Sequence, residues 1–479
     1  MLRKFIVLLL VFSGAIGFSQ EIVTSFPLEL KNKAAFQVVN DSLKQAIVFL
    51  GDKARINAIR LDQNMQPLDS LAAAKPEKTY EMMVGYTISG TNPRLFWSSP
   101  DHEQIYSQFY DFEKKAVGGM SYSIPFKEDR FLQFFSEQDK FYILSIIRKS
   151  NTLKLYAFDN NGKVEEHLID LGAAKFVDHN YKPTNLYGSI GDDFFEEDKP
   201  YVLQQIKSEN PVSLTESSKK RKCYLNGKQI FITLDTNVDY THVVTIDLAA
   251  FKGSEKVIPQ PYIAFMDRGE LNSNSFIIDR QVYQFKTSSQ KMFFSIKDLN
   301  GALIKEYGKT ADENIDFKNS EIIQESGDIE NPRILQKTSQ FLRKANNQFS
   351  GISISKINGN YLVTLGSVSE ERMSTGAVIG TAFLGGVTGV IIASALWNPA
   401  LDSFNSYNNR KVVYINCLFD KSGKHIDGAL QPLAFDSIRK FTKDLAGYGS
   451  PTLFKMNHAY YFGYYDKSEK KYLIRKFNE

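Results

Sequence analysis

The sequence predicts an all-β chain built from seven repeated four-stranded antiparallel units. Three observations predict it. Aromatic residues make up 13% of 479, with 36 Phe and 24 Tyr against 2 Trp, a bias that favours pleated strands. A short Asn or Asp turn followed by an apolar strand recurs at Asp41, Asn92, Asp139, Asn226, Asp279, Asn358 and Asn457. Each is followed by a strand ending in Asp or Asn, at Asp62, Asp111, Asp159, Asp247, Asp298, Asp420 and Asn478. The separations are 21, 19, 20, 21, 19, 62 and 21 residues, so six of the seven agree within two and one carries an insertion of 41 or so.

Each unit reads as strand, tight turn, strand, tight turn, strand. Several continue through a further turn to a fourth strand. Asp159–Lys163, Asp298–Gly301 and Asp420–Lys424 have the Asp, Asn and Gly that such corners need, with Gly free to take positive φ. Val164–Leu171 is the fourth strand after the first of these corners. The last unit stops at Glu479, just after its third strand. Glu21–Leu30 precedes the first unit and is free to supply the missing strand, which would remove the exposed edges.

Repeated four-stranded antiparallel units of about 40 to 50 residues resemble β-propellers as a class. The resemblance implies a seven-bladed β-propeller forming a single domain over residues 20–479, its ring closed by the N-terminal strand. A two-domain sandwich is the competing architecture. The chain lacks the Trp-Asp signature of WD40 repeats and any Asp-box or kelch pattern, so the resemblance implies a fold and no activity.

Met1–Ser19 has the layout of a signal peptide. Arg3 and Lys4 form a charged start, Phe5–Phe12 an apolar core, and Gly17 and Ser19 a small-residue cleavage site. The mature chain is expected to begin near Gln20 and to reach the periplasm, the cell surface or the medium. An N-terminal membrane anchor is the other reading, disfavoured by the shortness of the apolar run. The formal charge of +4 falls to +2 without Arg3 and Lys4, which argues against a nucleic-acid partner. Two cysteines, Cys223 and Cys417, exclude a disulfide scaffold and a Cys-based metal centre. They are expected as buried free thiols in different units.

Three stretches exceed the repeat: roughly 172–218, 308–349 and 369–410. The first two lie between the fourth strand of one unit and the first strand of the next. The third lies between the second and third strands of the sixth unit. In an antiparallel unit those connections share one end, so all three insertions are expected on one face. Function tends to sit on loops held by a rigid scaffold.

Thr375–Trp397 is an uncharged run of 23 residues, long and apolar enough for a membrane span. Gly376 and Gly380, and Gly385 and Gly389, have small-xxx-small spacing, and the run resembles glycine-zipper segments of membrane-active proteins. A single span conflicts with the repeat, because Tyr361–Leu365 and Val412–Phe419 flank it and should be neighbouring strands. A glycine-rich apolar hairpin inserted in the sixth blade, helical by its composition, resolves the conflict. It turns at Gly385 and Gly386, with arms Gly376–Leu384 and Val387–Trp397. The surface can be hidden by packing on or plugging the propeller channel, by a membrane, or by a protein partner. The expected contact residues are Phe383, Leu384, Val390, Ile391, Ile392, Leu396 and Trp397.

Asp192, Asp193 and Glu196 are candidate Ca²⁺ ligands, but they lack the alternating spacing of a calcium loop and read more simply as a solvated loop. Lys219–Lys222 reads as a solubilising strand edge or a contact for anionic lipid or glycan. The six histidines form no HExxH-type pair, Ser450 is not in a GxSxG elbow, and no cofactor motif is present. The functional expectation is an exported, non-catalytic binding scaffold that contacts a membrane or protein partner. The rival is a carbohydrate- or polymer-acting hydrolase or lyase with its site at the channel mouth.

Overall fold

The corners are the local device that makes the sheets. Asp159 Oδ1 accepts from the backbone N–H of Asn161 (2.9 Å) and Lys163 (2.8 Å) while Gly162 takes φ +85°. Asp298 repeats this with Asn300 and Ala302, and Asp420 with Ser422 and Lys424. In each case a short carboxylate replaces strand pairing at the turn. The computed structural model describes residues 21–28, 34–52, 54–137, 139–194, 198–264, 270–326, 331–369, 398–408, 411–445 and 448–479. Residues 1–19, where a signal peptide is expected, and the apolar run 375–397 lie outside them.

The fold is all-β with repeated four-stranded antiparallel sheets, as the spacing predicts. The first sheet is Ala34–Asn40, Gln45–Gly51, Arg55–Leu61 and Pro67–Ala74 in that order; the second is Met82–Ser89, Asn92–Ser98, Gln104–Asp111 and Ala116–Ser123. The third is Asp129–Glu137, Lys140–Ile147, Thr152–Asp159 and Val164–Asp170. The fourth is Arg221–Asn226, Gln229–Asn237, Tyr240–Asp247 and Lys252–Pro259, with Gln204–Ile206 added in parallel to its first strand. The fifth is Asn272–Ile278, Gln281–Thr287, Lys291–Asp298 and Leu303–Thr310. The seventh is Gly449–Met456, Ala459–Asp466, Lys471–Asn478 and Glu21–Pro27. The N-terminal strand thus pairs antiparallel with the C-terminal one, Glu21 opposite Lys476 and Pro27 opposite Lys471. Second strands such as Gln45–Gly51 are buried almost throughout, whereas the outer strand Ala116–Ser123 is exposed almost throughout.

The sixth sheet departs from the expected order. Phe349–Ile357, Asn360–Val368 and Lys411–Phe419 form its first three strands, but among the described residues the stretch just after Asp420 adds to this sheet only an isolated bridge, Phe419 to His425. The fourth position belongs to Ile322–Ser326, paired antiparallel with Lys411–Phe419 and followed by Arg333–Leu335. A segment upstream of the sheet supplies its edge. The Asp420 corner forms as its sequence requires, yet its expected partner strand is displaced by another.

Apolar side chains on both faces join the sheets in succession. Phe36 and Phe49 of the first sheet stack at 4.7 Å, and Trp97 and Tyr110 of the second meet them edge-on. Phe96 of the second stacks on Phe141 of the third at 4.3 Å. Gly85 makes that approach possible, because a Cβ there would lie 2.4 Å from the Phe141 ring. Leu144 and Ile146 of the third share a core with Ile232 and Val244 of the fourth, and the fourth, fifth and sixth share another through Tyr224, Phe276, Phe294 and Phe419. Phe454 and Tyr472 of the seventh pack with Ala46 and Val48 of the first.

Five helices are described: α1 Leu186–Ile190, α2 Leu214–Ser217, α3 Thr338–Asn346, α4 Pro399–Asn408 and α5 Ala434–Asp444. Phe404 of α4 and Phe435 and Ile438 of α5 pack on Tyr460, Phe462 and Phe477 of the seventh sheet, so helices line the side of that sheet that faces the sixth.

Two outcomes follow. Phe49→Ala removes a fully buried ring and is expected to lower unfolding free energy by about 3–5 kcal/mol, read from urea denaturation. Deleting Glu21–Pro27 exposes the edge of Lys471–Asn478, and the truncated chain is expected to melt earlier and to self-associate in analytical ultracentrifugation.

Candidate functional site

The predicted contact residues Phe383, Leu384, Val390, Ile391, Ile392, Leu396 and Trp397, the turn glycines Gly385 and Gly386, and Glu196 all lie outside the described residues. Asp193 is exposed. Asp192 is buried and engaged locally: its carboxylate oxygens both sit 3.0 Å from His179 Nδ1 and accept from the backbone N–H of His179 and Phe194. Among the described residues no group of three His, Cys, Asp or Glu is placed to hold a metal ion. Cys223 and Cys417 are free, buried and in different cores, and burial pushes both thiols up.

The basic run is not a solvated edge. Lys220, Arg221 and Lys222 are all buried. Lys220 Nζ donates to Asn272 Oδ1 (2.9 Å) and the Ser273 carbonyl (2.6 Å) of the fifth sheet. The Arg221 guanidinium donates to the carbonyls of Asp192 and Asp198, which ties the acidic loop to the fourth sheet. Lys222 Nζ lies 2.9 Å from Asp235 Oδ2 and 2.7 Å from Asn274 Oδ1. Asp235 also accepts from the hydroxyls of Ser275 and Thr241, both at 2.7 Å. Ionic groups removed from water need such partners, and here they join adjacent sheets. Composition alone reads a Lys-Lys-Arg-Lys run as surface, because the partners lie tens of residues away.

The segment entering the fourth sheet crosses between first strands. After Gln204–Ile206, the Glu209 carbonyl and Asn210 Oδ1 accept from Tyr460 of the seventh sheet. The Val212 carbonyl then accepts from Ser353 Oγ of the sixth (2.5 Å). Ser213 caps α2 reciprocally with Glu216 and its hydroxyl meets Ser406 of α4 at 2.5 Å. Gln37 of the first sheet donates to Asn398 Oδ1, at the start of α4, and to the Leu453 carbonyl, both at 3.0 Å. First strands from four sheets are therefore linked through this segment and α4.

Two carboxyls meet where α2 faces α4. Ser403 Oγ donates to Glu216 Oε1 at 3.4 Å. Burial pushes Glu216 up to about 7. Burial and the neighbouring Glu216 charge push Asp402 well above the usual carboxylate range.

Beside this contact lies a cavity of about 350 Å³ between the sixth sheet, α4 and α5. Strand alternation explains its walls. Ile352, Ile354, Val363, Leu365, Val413, Ile415 and Cys417 belong to the core shared with the fifth sheet. The opposite face carries Ser353, Ser355, Thr364, Tyr414 and Asn416, with Thr364 directly opposite both Ser353 and Asn416. The helices contribute Tyr407, whose hydroxyl donates to Asp436 Oδ1 at 2.7 Å, and Asp436 Oδ2 accepts from Leu433 N–H at the start of α5. Behind the cavity, Glu325 accepts from Tyr414 OH (2.7 Å) and Arg439 Nη1 (3.0 Å). No histidine or cysteine lines it. The sequence holds two signals for this site: the Ser/Ile alternation in Gly351–Ser355, and the apolar spacing Phe435, Ile438, Phe441 of α5 after Pro432.

By overall shape the chain is similar to an apocarotenoid oxygenase variant from Synechocystis, at 8% identity and TM-score 0.29 over 58% of this chain and 64% of that one. It is similar to prolyl oligopeptidase B from Galerina marginata, at 8% identity and TM-score 0.31 over 69% of this chain and 38% of that one. It is also similar to the β-propeller domain of Nup133 from Vanderwaltozyma polyspora, at 11% identity and TM-score 0.32 over 95% and 99%. The chain spans less than two thirds of the oxygenase. Scores this low bear on neither function nor unit number. No protein-family model and no curated protein matches the sequence.

Two measurements check these contacts. The folded chain holds the Glu216 proton at pH values where the unfolded chain, at 4.5, has released it. That stabilisation is complete below the unfolded value and is lost as pH rises through about 7. Urea midpoints are expected to fall over that window, and Glu216→Gln is expected to flatten the fall. Lys222→Met strands Asp235 without its cation, and a loss of about 3–5 kcal/mol is expected from the same denaturation assay.

Proposed function

We propose that the protein is a seven-bladed β-propeller acting as an exported, non-catalytic binding scaffold. In this reading the three insertions, 172–218, 308–349 and 369–410, give one face its recognition surface. The apolar run 375–397 makes the contact with a membrane or a protein partner, through Phe383, Leu384, Val390, Ile391, Ile392, Leu396 and Trp397.

One observation carries the proposal. Asn360–Val368 and Lys411–Phe419 are antiparallel neighbours with Val368 opposite Val412, and Ser369 N–H still donates to the Lys411 carbonyl at 2.9 Å. The chain therefore departs toward 375–397 and returns at one end of one sheet. A bilayer-crossing helix would separate those neighbours, whereas a hairpin turning at Gly385 and Gly386 would not. Among the described residues no helix is long and apolar enough to cross a membrane.

The test compares the chain from Gln20 to Glu479 with a variant in which 374–397 is a short Gly-Ser loop. The intact chain is expected to float with liposomes or to form a larger complex on sizing. The loop variant is expected to do neither while keeping its melting temperature. Unfolding of the variant, or identical behaviour of the two, overturns the proposal.

A further inference from the structure

We infer that the cavity between the sixth sheet and helices α4 and α5 is a binding site for a small neutral molecule with an apolar body and one hydrogen-bonding oxygen. Four observations lead there. The first is size. At about 350 Å³ the cavity lies within the range of ligand pockets and far exceeds the small voids of a close-packed interior. It would hold roughly a dozen waters at ~30 Å³ each.

The second is the division of its walls. Leu214, Leu362, Val412 and Leu433 present hydrocarbon, and water alone would leave that surface wetted at a cost in free energy. The sheet side carries Ser355, Thr364 and Asn416, and the helix side Tyr407 and Asp436, which are bonded to each other.

The third is spare capacity. Thr364 Oγ1 donates to Asn416 Oδ1 at 2.7 Å, which orients the amide and leaves Asn416 Nδ2 without a partner among the described residues. Ser355 Oγ, two residues along the neighbouring strand from the position opposite Thr364, also makes no hydrogen bond there. Neither atom is sealed away from probes of the cavity, since neither is among the buried groups lacking a partner. A preoriented donor beside an unused hydroxyl, both reachable, is what a carbonyl or hydroxyl oxygen requires.

The fourth is charge. The lining contains no Lys, Arg or His, so an anion gains nothing there. Its one carboxylate, Asp436, is engaged by Tyr407 OH and Leu433 N–H, so a cation finds that group already occupied. A neutral ligand fits both facts. The mouth is formed by Gln431 and Pro432, which are exposed and give a route from solvent.

The experiment uses the chain from Gln20 to Glu479 and two neutral probes, 4-fluorobenzyl alcohol and 4-fluorotoluene, followed by fluorine NMR. Saturable broadening in the millimolar range is expected for both, with the alcohol about fivefold tighter, as for one added hydrogen bond. Leu362→Trp fills the cavity and is expected to abolish both signals without loss of the native circular dichroism spectrum. Asn416→Leu is expected to retain binding and to erase the preference for the alcohol. If Leu362→Trp fails to fold, the Asn416→Leu ratio decides alone. Broadening that rises linearly with probe, survives Leu362→Trp in a folded protein, or keeps its alcohol preference in Asn416→Leu overturns the inference.

Discussion

A four-stranded sheet with large apolar side chains on both faces cannot stand alone in water, and the rest of this structure follows from that constraint. Gln45–Gly51 is buried along nearly its whole length, so its sheet needs a neighbour on each side. Every such neighbour has the same requirement. The requirement is met in sequence, as Phe36 and Phe49 meet Trp97, Phe96 meets Phe141, and Phe454 meets the first sheet again. The strand Glu21–Pro27 does the same for hydrogen bonds, covering the edge of Lys471–Asn478.

The junction between the sixth and seventh sheets meets the constraint differently, and the chemistry of interest collects there. Toward the fifth sheet the sixth is apolar, whereas its other face mixes hydrocarbon from Leu362 and Val412 with polar side chains. Its other face carries serines, Thr364 and Asn416, which cannot interdigitate with the Phe and Tyr of the seventh sheet without losing hydrogen bonds. Helices α4 and α5 fill the gap, apolar toward the seventh sheet and polar through Tyr407, Asp436 and Arg439 on the other side. Helices and a pleated surface do not mesh as two sheets do, and a cavity remains. The run 370–397 connects to this same place, between Ser369 and Asn398.

Charge is put to structural use inside the molecule. Lys220, Arg221 and Lys222 are buried and hydrogen-bonded, and they tie the fourth sheet, the fifth sheet and the loop around Asp192 into one unit. Hydrophobic residues would fill that space with less desolvation cost. The directional partners fix register where an insertion of irregular backbone must be held against two sheets. Glu216 and Asp402 are different: burial holds the Glu216 proton up to about 7, and burial with the Glu216 charge raises the cost of ionising Asp402, so the contact between α2 and α4 responds to proton concentration near neutrality.

The sequence by itself determined the local elements: the Asx corners at Asp159, Asp298 and Asp420, the all-β repeat with its near-constant spacing, and a free N-terminal strand able to pair with the last one. These depend on residues close in the chain, on turn chemistry and on period-two alternation, and such signals are written locally. Only the tertiary structure decided that Ile322–Ser326 takes the fourth position of the sixth sheet, because competition between two candidate strands depends on which one packing brings near. It alone turned Lys220–Lys222 inward, since Asn272, Asn274 and Asp235 are distant in sequence. The cavity was legible only as a Ser/Ile alternation and a spacing of Phe435 and Ile438. A void has no residues of its own, and its existence depends on how three separate segments fail to close on one another.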